Sequence, residues 1–563
     1  MPAVEISTGP TVDYDRVMTD GELGYDTEIE SLRIGDGLST GGTALNRFIP
    51  SGAGAVETNI PDQLKQTVFV HNYRDNSDPD DTNAFTRALA AAKCVRVVVG
   101  KGSAPDGAYV VDQIVVSSDR TVHTDGLATI IRQTDVGHYD KPVVLVQGSR
   151  VTLGALTIEG NIDLDTGEWN HAVGVYGGTH MRDVRLGDIH GRNIRGDILY
   201  VGGTPQALVE RLTVGRVTGE NILRSGASIV GGTVIHIEAV DTGHCGYTTL
   251  DIEPNGTDNQ ICDDIRIGTV RGGKVQLAGN GGNIIGKVQI DLLHLDSALQ
   301  TEPVPPYLQG NGNSYFDKDF GVAAHNFHTL EIGNFECRDK LWSAIWSIEN
   351  PADAGSIAIR QYTGRQNGLN NLGVGELNIP GCNHLRIDRV DTLLPHKDKY
   401  FVVGAGTETS IYIGEGSRIA GGRVAAGVGQ SHIAATVEAP DDAELLFAGV
   451  SRSTIAIKQT GLTDPGSGIF YQCEKNVLFH CELDAAKMIH TGNDEHVMLM
   501  TTFGGTFYPF GFTSSDFRSG NLSAGLGGNA ERIWWDRHHR LRTVTGPYPT
   551  PSDLDGTVVG LQS

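Results

Sequence analysis

From about residue 108 to residue 500 the chain alternates short apolar runs with glycine-rich turns. The runs are Val173-Gly174-Val175-Tyr176, Ile198-Leu199-Tyr200-Val201, Ala227-Ser228-Ile229-Val230, Leu250-Asp251-Ile252-Glu253 and Val275-Gln276-Leu277-Ala278, each closed by a Gly pair or a Gly-, Asn- or Pro-containing turn. With Tyr176, Val201, Val230, Glu253 and Ala278 taken as equivalent, the repeats are 25, 29, 23 and 25 residues long. Second runs fall between them, among them Val151-Thr152-Leu153, Val184-Arg185-Leu186, Leu212-Thr213-Val214 and Ile265-Arg266-Ile267. Two or three strands per roughly 25 residues make one coil of a parallel β-helix, whereas a propeller blade takes about 40. The L-x-x-L-x-L pattern of a leucine-rich repeat is absent. The pattern predicts an all-β chain in which residues 108–502 form a parallel β-helix. Inward residues then fill the solenoid, outward ones form flat walls, and each coil depends on its neighbours for burial.

Other zones flank or interrupt this period. Residues 1–50 hold a hairpin-like run, with alternating apolar residues bracketing a turn between Leu23-Gly24-Tyr25-Asp26 and Leu32-Arg33-Ile34. Residues 51–107 begin with a Gly-, Ala- and Ser-rich linker. A helix follows, with Asp81 or Thr82 as N-cap and Phe85, Leu89 and Ala92 as its apolar stripe. The strand Val95–Val99 comes next. One helix before strands only suggests a lid, because open strand edges need cover. Residues 303–327 are too long and aromatic for a turn and read as a loop walling a groove. Residues 503–563 break the period, with a hairpin over Ile533–Arg542 and a turn-rich tail.

Composition narrows the function. Glycine contributes 74 of 563 residues but proline only 21, which suits many turns and neither collagen nor disorder. The net charge of −24 repels phosphate backbones, so no nucleic-acid partner is expected. The seven cysteines include no C-x-x-C pair and read as reduced thiols. Histidines 236 and 244 lack partners at ligand spacing, and the Asp263-Asp264 pair reads as a turn. Neither metal nor cofactor is expected. Acids within the first 30 residues and the lack of a long apolar stretch predict no signal peptide and no membrane span.

Three stretches resemble known families. Asp20-Gly21-Glu22-Leu23-Gly24-Tyr25-Asp26-Thr27 with Leu32-Arg33-Ile34-Gly35-Asp36-Gly37 resembles the virion-proximal module of phage tail fibres and tailspikes. Asp80-Asp81-Thr82-Asn83-Ala84-Phe85-Thr86-Arg87, followed by a valine strand, resembles the start of pectate-lyase-like right-handed β-helices. Arg224-Ser225-Gly226-Ala227-Ser228-Ile229-Val230-Gly231-Gly232 with Asp251-Ile252-Glu253-Pro254-Asn255 resembles a pattern of phage glycan depolymerases. The resemblance covers about 1–100 and 195–256. It implies a homotrimeric tailspike on the virion. Residues 1–50 would attach it to the phage tail or baseplate, residues 108–502 would bind and cleave a bacterial surface polysaccharide outside the cell, and residues 503–563 would trimerise. Here Tyr247-Thr248-Thr249 precedes the acidic motif, where the family often has small residues.

The residues themselves suggest chemistry. Strand alternation turns Leu250 and Ile252 inward and sends Asp251 and Glu253 outward on one wall, with Cα atoms about 6.5–7 Å apart. Paired carboxylates are what glycoside hydrolysis uses, one as acid and one as nucleophile or base, with carboxyl separations of roughly 5 Å for retention and roughly 6.5–9.5 Å for inversion. Close like charges raise the pKa of one of them. Outward acidic pairs are also ordinary solvated surface. The repeat places Asp197, Gly226, Thr249 and Lys274 in one column, Leu199, Ser228, Asp251 and Gln276 in a second, and Val201, Val230, Glu253 and Ala278 in a third. Asp197 thus becomes a third candidate carboxylate, two coils or about 9–10 Å from Thr249. Ser228, Lys274, Gln276 and Tyr247 become candidate sugar ligands, Arg224 a clamp for an acidic sugar, and Trp169 a stacking platform. Trp342 and Trp346 read as packing. A second enzyme class is polysaccharide lyase, with Lys274 or Tyr247 as base. A third reading is a receptor-binding spike that cuts nothing.

Overall fold

The computed structural model describes residues 67–458 with their side chains, apart from spans such as 135–140, 163–168, 203–206, 255–259, 300–319, 348–354, 368–374 and 394–399, and beyond that range only the backbone of individual strands. The 303–327 excursion up to residue 319, His244, Arg537–Arg540 and residues 546–556 of the tail lie outside the described residues.

The chain winds as a parallel β-helix. One 15-stranded sheet runs from Ile114–Val116 through Val144–Val146, Val173–Val175, Leu199–Val201, Ala227–Ile229, Leu250–Ile252, Val275–Ala278, Val322–His325 and Ile345–Ser347 to Lys487–Thr491. Its consecutive strands pair in parallel. A 22-stranded sheet makes the rest of the wall. In the early coils its strands are short, as in Met181–Leu186 and Ile189–Ile194. From Val209–Ile222 onward two strands merge into one long bent strand per coil. The bend falls where Asp183, Arg211, Val234 and Asp264 take φ of 59°, 58°, 56° and 48°. Each sits between the same two paired positions of neighbouring coils. In these four coils a left-handed residue at the same place therefore turns a corner. Inside, Leu199, Val201, Ala227, Ile229, Leu250, Ile252 and Val275 are fully buried and stack rung upon rung.

The helix Thr82–Ala91 buries Ala84, Phe85, Ala88 and Leu89, and Phe85 meets Tyr109 edge-on at 5.5 Å. Asp81 stands at the N-cap position, but its side chain does not cap the helix. Its carboxylate accepts the Ser103 and Val110 amides at 2.8 and 2.9 Å and pairs with Arg74, so it stitches the helix to the first coil. The strand after the helix covers only Cys94–Arg96. At the N-terminus, Leu23–Asp26 and Ser31–Ile34 pair antiparallel. Near the C-terminus Glu531–Trp535 and Leu541–Thr545 do the same.

One register expectation is corrected. Leu199 pairs with Ala227 and Tyr200 with Ser228, so Leu199 faces the core and Tyr200 joins the outward column of Ser228, Asp251 and Gln276. Asp197 shifts by one residue accordingly, into line with Ser225 and Thr248 rather than Gly226 and Thr249. Val201 likewise leaves the column of Val230 and Glu253 for that of Ile229 and Ile252. Burial of alternate residues fixes the register, and in this rung the glycine turn arrives one residue early.

Candidate active site

The wall formed by the 15-stranded sheet brings together most of the residues singled out from the sequence. Asp251 sits mid-strand between two core residues and points away from the core cluster. It nevertheless has no accessible surface. Neither carboxyl oxygen has a hydrogen-bond partner. Burial, reinforced by the neighbouring Glu253 carboxylate, holds the Asp251 carboxyl well above the usual carboxylate range, against the pull of Arg224 and Lys274. Glu253, two residues on, is only half-buried.

Asp197 is held quite differently. Its carboxylate accepts the Ser225 amide at 3.1 Å and an Arg224 N–H at 3.3 Å. Its own amide donates to His171 Nδ1 at 2.9 Å. Burial still raises the Asp197 carboxyl, because desolvation outweighs the help from Arg224, Ser228 and Ser225. His171 is fully buried, and that burial together with the Arg224 charge lowers its pKa well below the usual imidazole value. The ring is therefore neutral and carries its proton on Nε2, since Nδ1 is an acceptor. Its 3.4 Å approach to the Asp197 carboxylate is thus no ion pair. The ring stacks on Tyr200 at 4.4 Å, 7° from parallel. Arg224 is spent on Asp197 and is 13% exposed at its side chain.

On the other side of Asp251, Tyr247 donates its hydroxyl to Gln276 Oε1 at 2.9 Å. Burial and the charges of Asp251 and Glu253 push the Tyr247 phenol well above its ordinary value. Lys274 is fully buried, with its ammonium 4.3 Å from the Phe320 ring centre and 5.8 Å from that of Tyr247. Ser228 is buried one rung from Asp251. Trp169 is 42% exposed and lies edge-on to Tyr200 at 5.4 Å.

The motif around Gly226 has a steric reason. A Cβ there would lie 2.6 Å from the Thr249 carbonyl oxygen and 2.5 Å from Thr242 Cγ2. Gly226→Ala is expected to cost about 1–3 kcal/mol through this overpacking, to be read as a fall in the denaturation midpoint. An unchanged midpoint would show that the coils yield there.

No protein-family model matches the sequence, and no curated protein matches it significantly. Among solved structures the chain is similar to the Agl-KA catalytic domain, at 10% identity and a TM-score of 0.32 over 80% of this chain and 69% of that one. It is also similar to the Acinetobacter phage vb_AbaP_AS12 gp42 tailspike, at 9% identity and a TM-score of 0.35 over 95% and 84%. A third is Geobacillus virus E2 ORF18, at 11% and 0.22 over 90% and 76%. The parallel β-helix itself is established by the coil-to-coil pairing, and the chemistry of the wall rests on its own residues.

Several residues of the site are absent from the sequence reading. Tyr200 joins the site only when Leu199 and Val201 are aligned as core residues, one position away from the alignment that the glycine pairs suggest. Asn170 and His171 sit before a strand, where periodicity is silent. Phe320 follows the 300–319 span, and its place over Lys274 has no local signal. Among the described residues no group of three His, Cys, Asp or Glu side chains is placed to hold a metal ion. No helix among them is long and apolar enough to cross a membrane.

Proposed function

We propose that the chain is a phage tailspike that depolymerises a bacterial surface polysaccharide by endo-glycosidic hydrolysis, with Asp251 as general acid and Glu253 as the second carboxylate. One observation carries this reading. Asp251 is a fully buried carboxyl with no hydrogen bond to either oxygen, and burial and a neighbouring carboxylate raise its pKa above the usual carboxylate range. A structural acid would be expected to find donors, as Asp197 does. A proton donor for a glycosidic oxygen needs its proton near neutrality. Asp197 then serves as a positioning residue, tying Arg224, Ser225 and His171 into one rung. The tailspike named above, together with the N-terminal and D-I-E-P-N motifs, supports the placement on a virion, with residues 1–50 attaching to the tail and the spike acting as a homotrimer outside the host cell.

The lyase alternative needs a base. Tyr247 is a poor one, since its phenol is raised and already donates to Gln276. Lys274 is held over two aromatic rings, where a cation is favoured. These observations favour hydrolysis.

Glu253→Gln is expected to lower reducing-end release from purified capsule or O-antigen by about 10²–10⁴-fold, with no product absorbing in the ultraviolet as an unsaturated uronate. The rate of the unaltered chain should fall at high pH as Asp251, whose pKa is raised by its burial, loses its proton. Ultraviolet-absorbing products, or full activity in the variant, would refute the hydrolase.

A further inference from the structure

The outward column through Asp251 continues to Gln276, Ala323 and Trp346 in successive rungs. Trp346 stacks with Trp342 at 5.7 Å and 20° and meets Phe320 edge-on at 5.6 Å. Both tryptophans are half-buried. In the opposite direction, Trp169 lies just before the strand Val173–Val175. That strand and Ile345–Ser347 each stand three rungs from Leu250–Ile252. At about 4.8 Å per rung, the two aromatic groups lie about 14 Å from Asp251 on either side. Between them the column carries Tyr200, Ser228, Gln276 and Ala323, of which only Tyr200 is a ring, and it is buried.

A second observation marks the Trp169 end. Asn170 has no accessible surface, and both its amide nitrogen and its amide oxygen are without partners. The adjacent His171 leaves its Nε2 proton equally unmatched. A buried donor and acceptor on one amide cost free energy unless something pairs them. Neighbouring hydroxyls of a sugar stacked on Trp169 offer one acceptor and one donor. On an indole face, the C–H side of a pyranose finds an apolar platform, as aromatic side chains supply elsewhere.

We propose that Trp169 and Asn170 form one end subsite for the polysaccharide on this wall, and Trp342 and Trp346 the other. This rests on the polysaccharide reading above and adds the length and the ends of its track. Cleavage at Asp251 then falls mid-track, and only a chain spanning about six rungs, or about 29 Å, engages both ends.

The test uses the full chain carrying Asp251→Asn and a ladder of oligosaccharides made by partial acid hydrolysis of purified capsule, with binding followed by calorimetry. Long fragments should bind Trp169→Ala and Trp342→Ala/Trp346→Ala up to about tenfold more weakly per lost ring. Fragments too short to span the track should lose affinity in one end variant only. Trp346→Phe should restore long-fragment binding, which a misfolded variant would not show. Loss that is independent of fragment length, or no loss in either variant, would overturn the proposal. Cleavage is scored separately with Asp251 intact. A chain that cuts nothing yet keeps the length-dependent binding would defeat the hydrolase and leave the track standing. A chain that cuts normally with all three tryptophans replaced would do the reverse.

Discussion

Asp251→Asn is expected to abolish depolymerisation while making the protein more stable. The activity loss should be about 10²–10⁴-fold in reducing-end release, the usual worth of a positioned proton donor. The stability gain follows from the same burial. The folded state holds the Asp251 proton to higher pH than the unfolded chain, whose aspartates titrate near 3.9. Between those two values the native protein binds more protons than the unfolded one, so wild-type stability falls as pH rises through that window and stays lowered above it. Asparagine has no charged form to penalise. The melting temperatures of variant and wild type should therefore match below about pH 4 and separate above it, with the variant higher. Equal melting curves at pH 7 would mean that Asp251 is not strained by its burial, and its assignment as the acid would fall with that result.

One residue further on, the same kind of change should have the opposite sign. Ile252 is fully buried and stacks between Ile229 and Leu277 of the adjacent rungs. Ile252→Asp places an unpaired charge in that column, at a cost of several kcal/mol against the roughly 5–15 kcal/mol that a folded domain has in total. Because each coil leans mainly on its neighbours, the damage should stay near the altered rung. Limited proteolysis is expected to cut around residue 250 and to leave a protected fragment containing the helix and the first coils. Uniform digestion from both ends would show instead that the solenoid melts as one cooperative unit.

The contrast between these neighbours shows what was legible in the sequence. Alternation alone separated Leu250 and Ile252 from Asp251 and Glu253, since a strand has only two faces. The coil repeat was equally plain, because glycine turns and apolar triplets recur together. The repeat did not carry the exact register of each rung. Glycine pairs mark a turn, whereas the core contacts of Leu199 and Val201 fix the alignment, and the two differ by one residue at that rung. Nor did the sequence show that an outward acid can be buried. Beside Asp251 stand Lys274, from the next rung, and Tyr247, from the turn just before its own strand, and their placement depends on how the coils stack. The role of Asp197 in tying down its rung was visible only once its amide and carboxylate partners were known.

The strand pairing has an evolutionary consequence: because core residues fix the register of each rung, the loops between strands can lengthen without shifting the strands. From Leu277 to its pairing partner Ala324 the chain spends far more residues than from Ile252 to Leu277, yet both steps advance the wall by one rung. Such a scaffold can exchange the outline of the wall around Asp251 while the acid beneath stays in place.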